Sequence, residues 1–331
     1  MYKVGIIGCG RIGFLLENDP LRIKPCTHIG GILTNKKLRI TAACDINRLR
    51  LSHFARIHHI HHLYTDHRKM LATEDLDIVV ISTWTDSHRS ICCEAAPTAR
   101  LIVCEKPMAF HSPDCFDMIK ACRRHKTFLL INHERRYSPL YRKAKEMIMD
   151  GKIGRVHTVI ANVLTAGSSK KSFKIDSSSL LHDGTHLIDI SLFLFGPVKE
   201  VKGYISPSRR DTSFGLIQFK NGILLFMEAG GYRNYFNFEL DIQGSSGRIR
   251  VGNEYMEIFT RKKSHRYTGF YELEKKAFPK IANKNEFIEE YQEVSDLLEG
   301  KIKKPTSAGE DGMKTIEIIE AISRNKLFQP D

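Results

Sequence analysis

The sequence predicts an α/β domain built on a parallel sheet, followed by an α+β domain with a large, open, mostly antiparallel sheet. Three observations carry this. Residues 3–131 read as apolar strands of four to six residues alternating with helices, the pattern of a parallel sheet covered on both faces. From about Arg155 the strands become longer, more aromatic and more strictly alternating. All eight cysteines lie between Cys9 and Cys122, so the two halves also differ in composition. A length of 331 residues fits two domains. The expected division is 1–132 and 133–331, with a final helix at 310–326 able to pack back on the first domain.

In the first half, Val4–Ile7, Leu38–Cys44, Asp77–Ser82, Leu101–Cys104 and Thr127–Ile131 read as strands. Asn47–Ile57, Ser87–Ala96 and Ser112–Lys126 read as helices between them. In the second half the strands are Val156–Thr165, Val198–Ile205, Phe214–Phe219, Ile223–Ala229, Phe236–Ile242 and Met256–Thr260. Asn221-Gly222 marks a hairpin between two of them, because both residues tolerate positive φ. A helix at Asp183–Phe195 stops at Gly196-Pro197, and the final helix aligns Met313, Ile316, Ile319 and Ile322 on one face.

A composition of 42% hydrophobic and 27% charged residues excludes a disordered chain. No apolar run approaches the length of a membrane span. A strand that begins at the first residues leaves no room for a leader, so a cytoplasmic location is expected. No cysteines are spaced C-x-x-C, which favours buried thiols in a reducing compartment over a metal site. The net charge of +13 is spread over short clusters without aromatic interleaving. That suits a solvated surface or a small anionic ligand better than nucleic acid. The six histidines from His53 to His67 fall at the far edge of the first domain and suggest no functional metal site.

Gly8-Cys9-Gly10-Arg11-Ile12-Gly13 directly follows the first strand. In a dinucleotide-binding Rossmann crossover the three glycines serve a tight turn, backbone approach to the pyrophosphate, and close helix–strand packing. The pyrophosphate is then expected at the start of a helix. Asp45, ending the second strand, can accept hydrogen bonds from ribose hydroxyls and repel a 2′-phosphate. NAD is therefore the expected cofactor, with NADP left open by the nearby Arg48 and Arg50. Asp45 lies 32 residues beyond Gly13, against a usual interval of about 20. The excess falls between Phe14 and Cys26, either as part of the active-site rim or as a plain surface excursion.

Further along are Glu105-Lys106-Pro107, Asn132-His133, and Gly184-Thr185-His186-Leu187-Ile188-Asp189. With the glycine motif, and in this order, they make the chain resemble the glucose–fructose oxidoreductase / inositol dehydrogenase (Gfo/Idh/MocA) family over nearly its whole length. The resemblance implies a Rossmann domain joined to an open-sheeted domain that binds substrate and forms a homo-oligomer, a dimer or tetramer. It implies hydride transfer at a carbinol carbon of a sugar, polyol or related molecule. It also places Lys106 in the active site and gives His186 the alcohol proton. The loop with Thr83, Trp84 and His88 would pass along the cofactor, beside Glu105 and Lys106. One position departs from the family pattern: His182 stands where relatives carry an aspartate, with Asp183 next to it.

The residues support the same chemistry without the resemblance. Oxidising an alcohol needs a base near neutrality, the range of histidine. An ammonium such as Lys106, at the carboxyl end of a parallel strand, stabilises the developing oxyanion. Asn132 and Arg135 sit at the expected domain junction, as substrate contacts or as structural ties. His182 and His186, four apart on one helix face, admit a second reading as zinc ligands with Asp189, although the glutamate of an H-E-x-x-H site is absent, with Asp183 in its place. Asp183 is equally a candidate helix cap. Two other classes stay open: a hydrolase or lyase that oxidises its substrate transiently, and a dinucleotide-binding regulator without activity.

Overall fold

The computed structural model describes residues 1–166, 178–206, 211–278 and 285–324. The chain divides into two compact units, Met1–Tyr137 with Lys284–Ile316, and Ser138–Asn283 with Glu317–Asp331. Along the first run lie β1 (Tyr2–Ile7), α1 (His28–Thr34), β2 (Leu38–Cys44), α2 (Arg48–His58), β3 (His62–Tyr64), α3 (His67–Thr73), β4 (Ile78–Ile81), α4 (Thr85–Ala95), β5 (Leu101–Cys104), α5 (Ser112–His125) and β6 (Phe128–Ile131). The strands are ordered β3-β2-β1-β4-β5-β6, and every pair is parallel. This is the doubly wound Rossmann order, whose switch point, between β1 and β4, is where such sheets bind ligands. All four residues of β4 and of β5 are buried, as uninterrupted apolar strands must be when both faces are covered. Side-chain caps start α1, α2 and α3: Thr27 accepts from Gly30 N–H, Asn47 from Arg50 N–H and Asp66 from Arg68 N–H.

The second run contains α6 (Pro139–Met149), β7 (Val156–Leu164), α7 (Ser179–His182), α8 (Gly184–Phe195), β8 (Val198–Ile205), β9 (Thr212–Phe219), β10 (Leu224–Gly230), β11 (Asn237–Gly244), β12 (Gly247–Gly252), β13 (Met256–Lys263) and β14 (Tyr271–Lys276). Its eight strands are ordered β14-β13-β12-β11-β7-β10-β9-β8, antiparallel except for the parallel pair β7–β10. One face is buried through Val159, Ala161, Val163, Ile217, Leu225, Met227, Leu240 and Ile242. The alternate phase leaves Ile160, Phe214, Leu224 and Phe226 exposed.

Two helices close the chain, α9 (Glu286–Leu298) and α10 (Gly309–Arg324). In the first unit α9 lies on α1 at Gly31, where a Cβ would meet Tyr291 Cδ2 at 2.5 Å and the Phe287 carbonyl at 2.9 Å. Phe287, Tyr291, Val294 and Leu298 join the β1–β2 core, each burial contributing about 1.5–3 kcal/mol. Ile131 N–H donates to Ser307 O, so the segment before α10 extends the edge at β6. In the second unit Ile322 covers Gly203, where a Cβ would come within 2.4 Å of the Ile322 backbone.

Elements that went unread in the sequence include β3, α3, α6, β12, β14 and, most consequentially, α9. β12 is a Gly-Arg-Ile-Arg-Val-Gly run in which two of the four buried residues are glycines, and β14 buries none, so neither announces itself by hydrophobicity. The expected helix at Asp183–Phe195 begins at Gly184, with α7 a separate turn before it. Residues 325 and 326 of the expected final helix, Ser177, and the Lys170, Lys171 and Lys174 cluster lie outside the described residues. All eight cysteines are free, and burial raises the Cys44 thiol to about 12. No described helix is long and apolar enough to cross a membrane.

Candidate active site

The glycine loop fits a dinucleotide pyrophosphate by the space around each glycine. Gly8 has φ +100, and a Cβ there would lie 2.6 Å from Ser82 O. A Cβ on Gly13 would lie 2.4 Å from Gly8 O, so the third glycine keeps the turn closed. Around Gly10 the space is open, with only Arg50 Nη1 coming near, at 3.6 Å. That bare stretch of backbone is what phosphate approach requires.

The helix expected right after the loop is interrupted. Residues 11–14 form turns, Leu15–Asn18 a short 3₁₀ helix, and α1 starts only at His28. Yet His28 N–H donates to Ile12 O and Ile29 N–H to Gly13 O. These would be the i→i−4 bonds of an ordinary first helix had twelve residues not been looped out of it. The excursion thus accounts for the long interval to Asp45. Glu17 ties its base, accepting from Thr27 Oγ1 at 2.6 Å and Cys26 N–H at 3.1 Å, while Leu21 and Ile23 stay exposed at its tip.

At the end of β2 the Asp45 carboxylate is buried. Oδ2 accepts from Cys9 N–H at 2.9 Å and faces Arg50 Nη1 at 3.4 Å, and Oδ1 accepts from Asn47 N–H at 2.8 Å. After β4, Trp84 is 79% exposed and Thr83 Oγ1 pairs with Ser87 Oγ at 2.7 Å. His88 differs from its expected role as a cofactor contact: it is buried, with Nδ1 3.1 Å from Pro107 O and Nε2 3.2 Å from Thr83 O. Burial lowers its pKa, so a neutral ring holds one of these carbonyls at a time. It links the β4–α4 loop to the Lys106–Pro107 turn, a cis peptide.

After β5, Glu105 is a buried hub. Oε1 accepts from Asn132 Nδ2 at 2.5 Å and lies 2.9 Å from His28 Nε2; Oε2 accepts from Lys106 N–H at 3.1 Å. His28 Nδ1 in turn meets Tyr291 Oη at 2.8 Å. Burial alone would raise the Glu105 carboxyl, but the His28 bond and charge, with Lys106 and Asn132, hold it below the ordinary range. Asn132, expected to touch substrate, is thus 2% exposed and committed to Glu105. Glu134, just beyond, is pushed up to about 7 by burial, against the pull of Arg135 and Lys106. Arg135 is partly buried, 3.9 Å from Glu134. Its neighbour Arg136 is tied to Thr306 O and Asp311.

In the second unit Ser178 caps α7, and Asp183 is the joint between α7 and α8. His182 and His186 therefore lie on two helices rather than on one continuous face. His182 and Asp183 are half-buried, while His186 is buried at the start of α8, with Asp189 one turn on. Asp183 makes no side-chain cap. Among the described residues no group of three or more His, Cys, Asp or Glu is arranged to hold a metal ion.

Sequence reasoning missed His28, Glu134, Glu290 and Tyr291. For α9 there was a signal: Asn285 is a cap, and Phe287, Tyr291, Val294 and Leu298 recur at helical spacing. For His28 there was none, because the excursion separates it from the motif it belongs beside.

Residues 2–133 match the oxidoreductase family GFO_IDH_MocA, described by its NAD-binding Rossmann fold, and residues 141–250 match the GFO/IDH/MocA C-terminal domain. An uncharacterized oxidoreductase of Bacillus subtilis, YrbE, is 26% identical, the alignment covering 98% of this chain and 94% of the relative. D-apiose dehydrogenase of Paraburkholderia graminis is 26% identical over 97% of this chain and 86% of its own. Among solved structures, the WlbA dehydrogenase of Bordetella pertussis, in complex with NADH and UDP-GlcNAcA, shares the fold with a TM-score of 0.79 at 21% identity. That likeness covers 98% of this chain and 94% of the other.

Proposed function

Because the chain belongs to the GFO/IDH/MocA family of NAD-binding oxidoreductases, we propose that it is a dehydrogenase or reductase of a small sugar, polyol or sugar derivative. One observation carries the reading. Gly8–Gly13, Asp45, Thr83, Trp84, Lys106 and Asn132 all follow the carboxyl ends of adjacent parallel strands, across the switch point, around a glycine loop open to a pyrophosphate. The relative named D-apiose dehydrogenase supports the substrate class.

NAD, when bound, takes up or supplies the hydride at the carbinol carbon. His186 takes the hydroxyl proton during oxidation and returns it in reduction. Lys106 stabilises the oxyanion that develops in the reaction. Glu105 acts through Lys106: its carboxylate, fixed by His28 and Asn132, holds the Lys106 backbone N–H. Asp45 keeps an open lone pair on Oδ1 for a ribose hydroxyl. His182, Asp183 and Arg135 are the substrate contacts we propose beyond the reacting centre.

The chain also self-associates, in this reading, through the exposed phase of the large sheet. Leu216, Phe226 and Ile160 are cross-strand neighbours on β9, β10 and β7, and the same row continues to Asp241, Arg250 and Glu257. An apolar centre with a charged flank is a self-complementary face for a two-fold partner.

The test is a panel of polyols, sugars and sugar acids with NAD, followed by nicotinamide absorbance. Accumulating NADH identifies a dehydrogenase. Product without net NADH favours transient oxidation instead, and no turnover with tight NADH binding favours a regulator.

A further inference from the structure

Four carboxyls of the first unit gather beyond the ends of β5 and β6, and their donors tell them apart. Glu105 accepts from Asn132 Nδ2 and Lys106 N–H and pairs with His28, so it stays ionised. Glu293, on α9, accepts from Tyr137 Oη at 3.0 Å and from Thr306 N–H at 2.7 Å. Glu290, on the same helix, is fully buried with no hydrogen-bond partner for either oxygen among the described residues. Burial keeps it protonated.

Glu134 fits neither group. It opens the turn after β6, beside the strand whose end carries Lys106, and its side chain is 25% exposed. From its own turn Arg135 faces it, with Nε 3.9 Å away. Lys106 and Glu105 face it from the end of β5, and Glu290 from α9. The surrounding protein and the Glu105 charge favour the neutral acid, while the two cations favour the carboxylate. The balance lies near neutrality, at about 7. One more charge nearby tips it.

The place on the sheet supplies that charge. A doubly wound sheet binds a dinucleotide across its switch point, with one mononucleotide on each half. The glycine loop and Asp45 mark the β1–β2 half as the adenosine side, which leaves the nicotinamide side to the ends of β4, β5 and β6. An oxidised nicotinamide ring is a cation and a reduced one is neutral, and a cation in low-dielectric surroundings favours an ionised carboxyl. We propose that Glu134 couples protonation to the redox state of the cofactor, releasing its proton when NAD⁺ binds and keeping it when NADH binds. Only the carboxyl O–H bond breaks; the proton passes to solvent, and the carboxylate left behind offsets the charge that arrived. Glu134 thus discriminates between the two forms, because rising pH strengthens NAD⁺ binding and leaves NADH binding alone.

The inference rests on the dinucleotide reading above, and the two fail differently. Calorimetry of the full chain at pH 7, in buffers of different ionisation enthalpy, reads the protons exchanged when each nucleotide binds. NAD⁺ is expected to release about 0.2–0.5 proton more than NADH, since a group titrating near 7 holds about half a proton there. Between about pH 6 and about pH 8 the affinity for NAD⁺ is expected to rise about fivefold, and that for NADH to stay level. Glu134→Gln is expected to abolish the difference and Glu134→Asp to keep part of it. Glu290→Gln, at a carboxyl that already holds its proton, is expected to leave it in place. Circular dichroism checks that the variants fold, and the unaltered protein alone is enough to refute the proposal. A difference below about 0.2 proton overturns it, as does one that survives Glu134→Gln or is lost in Glu290→Gln, while the dinucleotide reading stands. If neither nucleotide binds, the dinucleotide reading itself falls.

Discussion

His28 Nε2 lies 2.9 Å from Glu105 Oε1, and both side chains are buried. The pair joins the first turn of α1 to the residue before Lys106, two points 77 residues apart in the chain. Tyr291 Oη, 2.8 Å from His28 Nδ1, holds the other side of the ring, so that Nε2 faces Glu105. Removing one partner of such a pair strands the other, at about 3–5 kcal/mol. His28→Ala should lower urea-unfolding stability by that amount; a loss below about 1 kcal/mol would mean that the pair is not a buried anchor.

Acid stability should report the same pair. Because the Glu105 carboxyl is held low in the folded state, its contribution is present above the ordinary carboxylate pKa of 4.5 and is lost as pH falls through the lower folded value. Asn132→Ala, which removes one donor, should move the onset of acid unfolding to higher pH. An unchanged onset would contradict the assignment.

Glu134 has the opposite sign. With its folded pKa near 7 against 4.5 unfolded, the folded state binds the extra proton, so stability falls as pH rises between those values. Glu134→Gln should flatten that slope in denaturant titrations run from about pH 4.5 to about pH 7. A slope that survives the change would place its origin elsewhere.

Glu290 is fully buried, and neither carboxyl oxygen has a hydrogen-bond partner among the described residues. Burial, with Glu105, Glu134 and Glu293 nearby, pushes its pKa well up. Replacing an unsatisfied buried group by an apolar one of similar volume removes a penalty of about 1–3 kcal/mol. Glu290→Met should therefore stabilise the protein, and a clear destabilisation in urea would show that Glu290 has a partner.

Once a substrate is identified, His186→Ala should cut turnover by roughly 10²–10⁴-fold while leaving NADH binding nearly unchanged. Lys106→Ala should also lose turnover, mostly in kcat. His182→Ala and Asp183→Ala distinguish which neighbour takes the role of the aspartate in relatives. Full activity in both His186→Ala and Lys106→Ala would defeat the mechanism.

Light scattering at micromolar concentration should show a homo-oligomer. Phe226→Glu, placing a charge at the centre of the exposed sheet face, should dissociate it without changing nucleotide binding in the first unit. A monomeric unaltered protein, or an oligomer indifferent to this substitution, would remove the sheet face from consideration.

Whatever is written in neighbouring residues was legible along the chain. The glycine loop, the runs Leu38–Cys44 and Leu101–Cys104, and the strand ending at Asp45 are legible because burial on both faces and tight turns demand local composition. The position of Lys106 after β5 was equally open to reading. What those residues touch came from packing over long separations. It closed α1 onto Ile12 and Gly13 across a looped-out segment and brought Tyr291 from α9 to His28. It also committed Asn132 to Glu105 and set Arg50 over Gly10 and Asp45. The physical reason is sequence separation: periodicity and caps report on the next few residues, whereas a buried polar group is satisfied by whatever partner packing delivers, however distant in the chain.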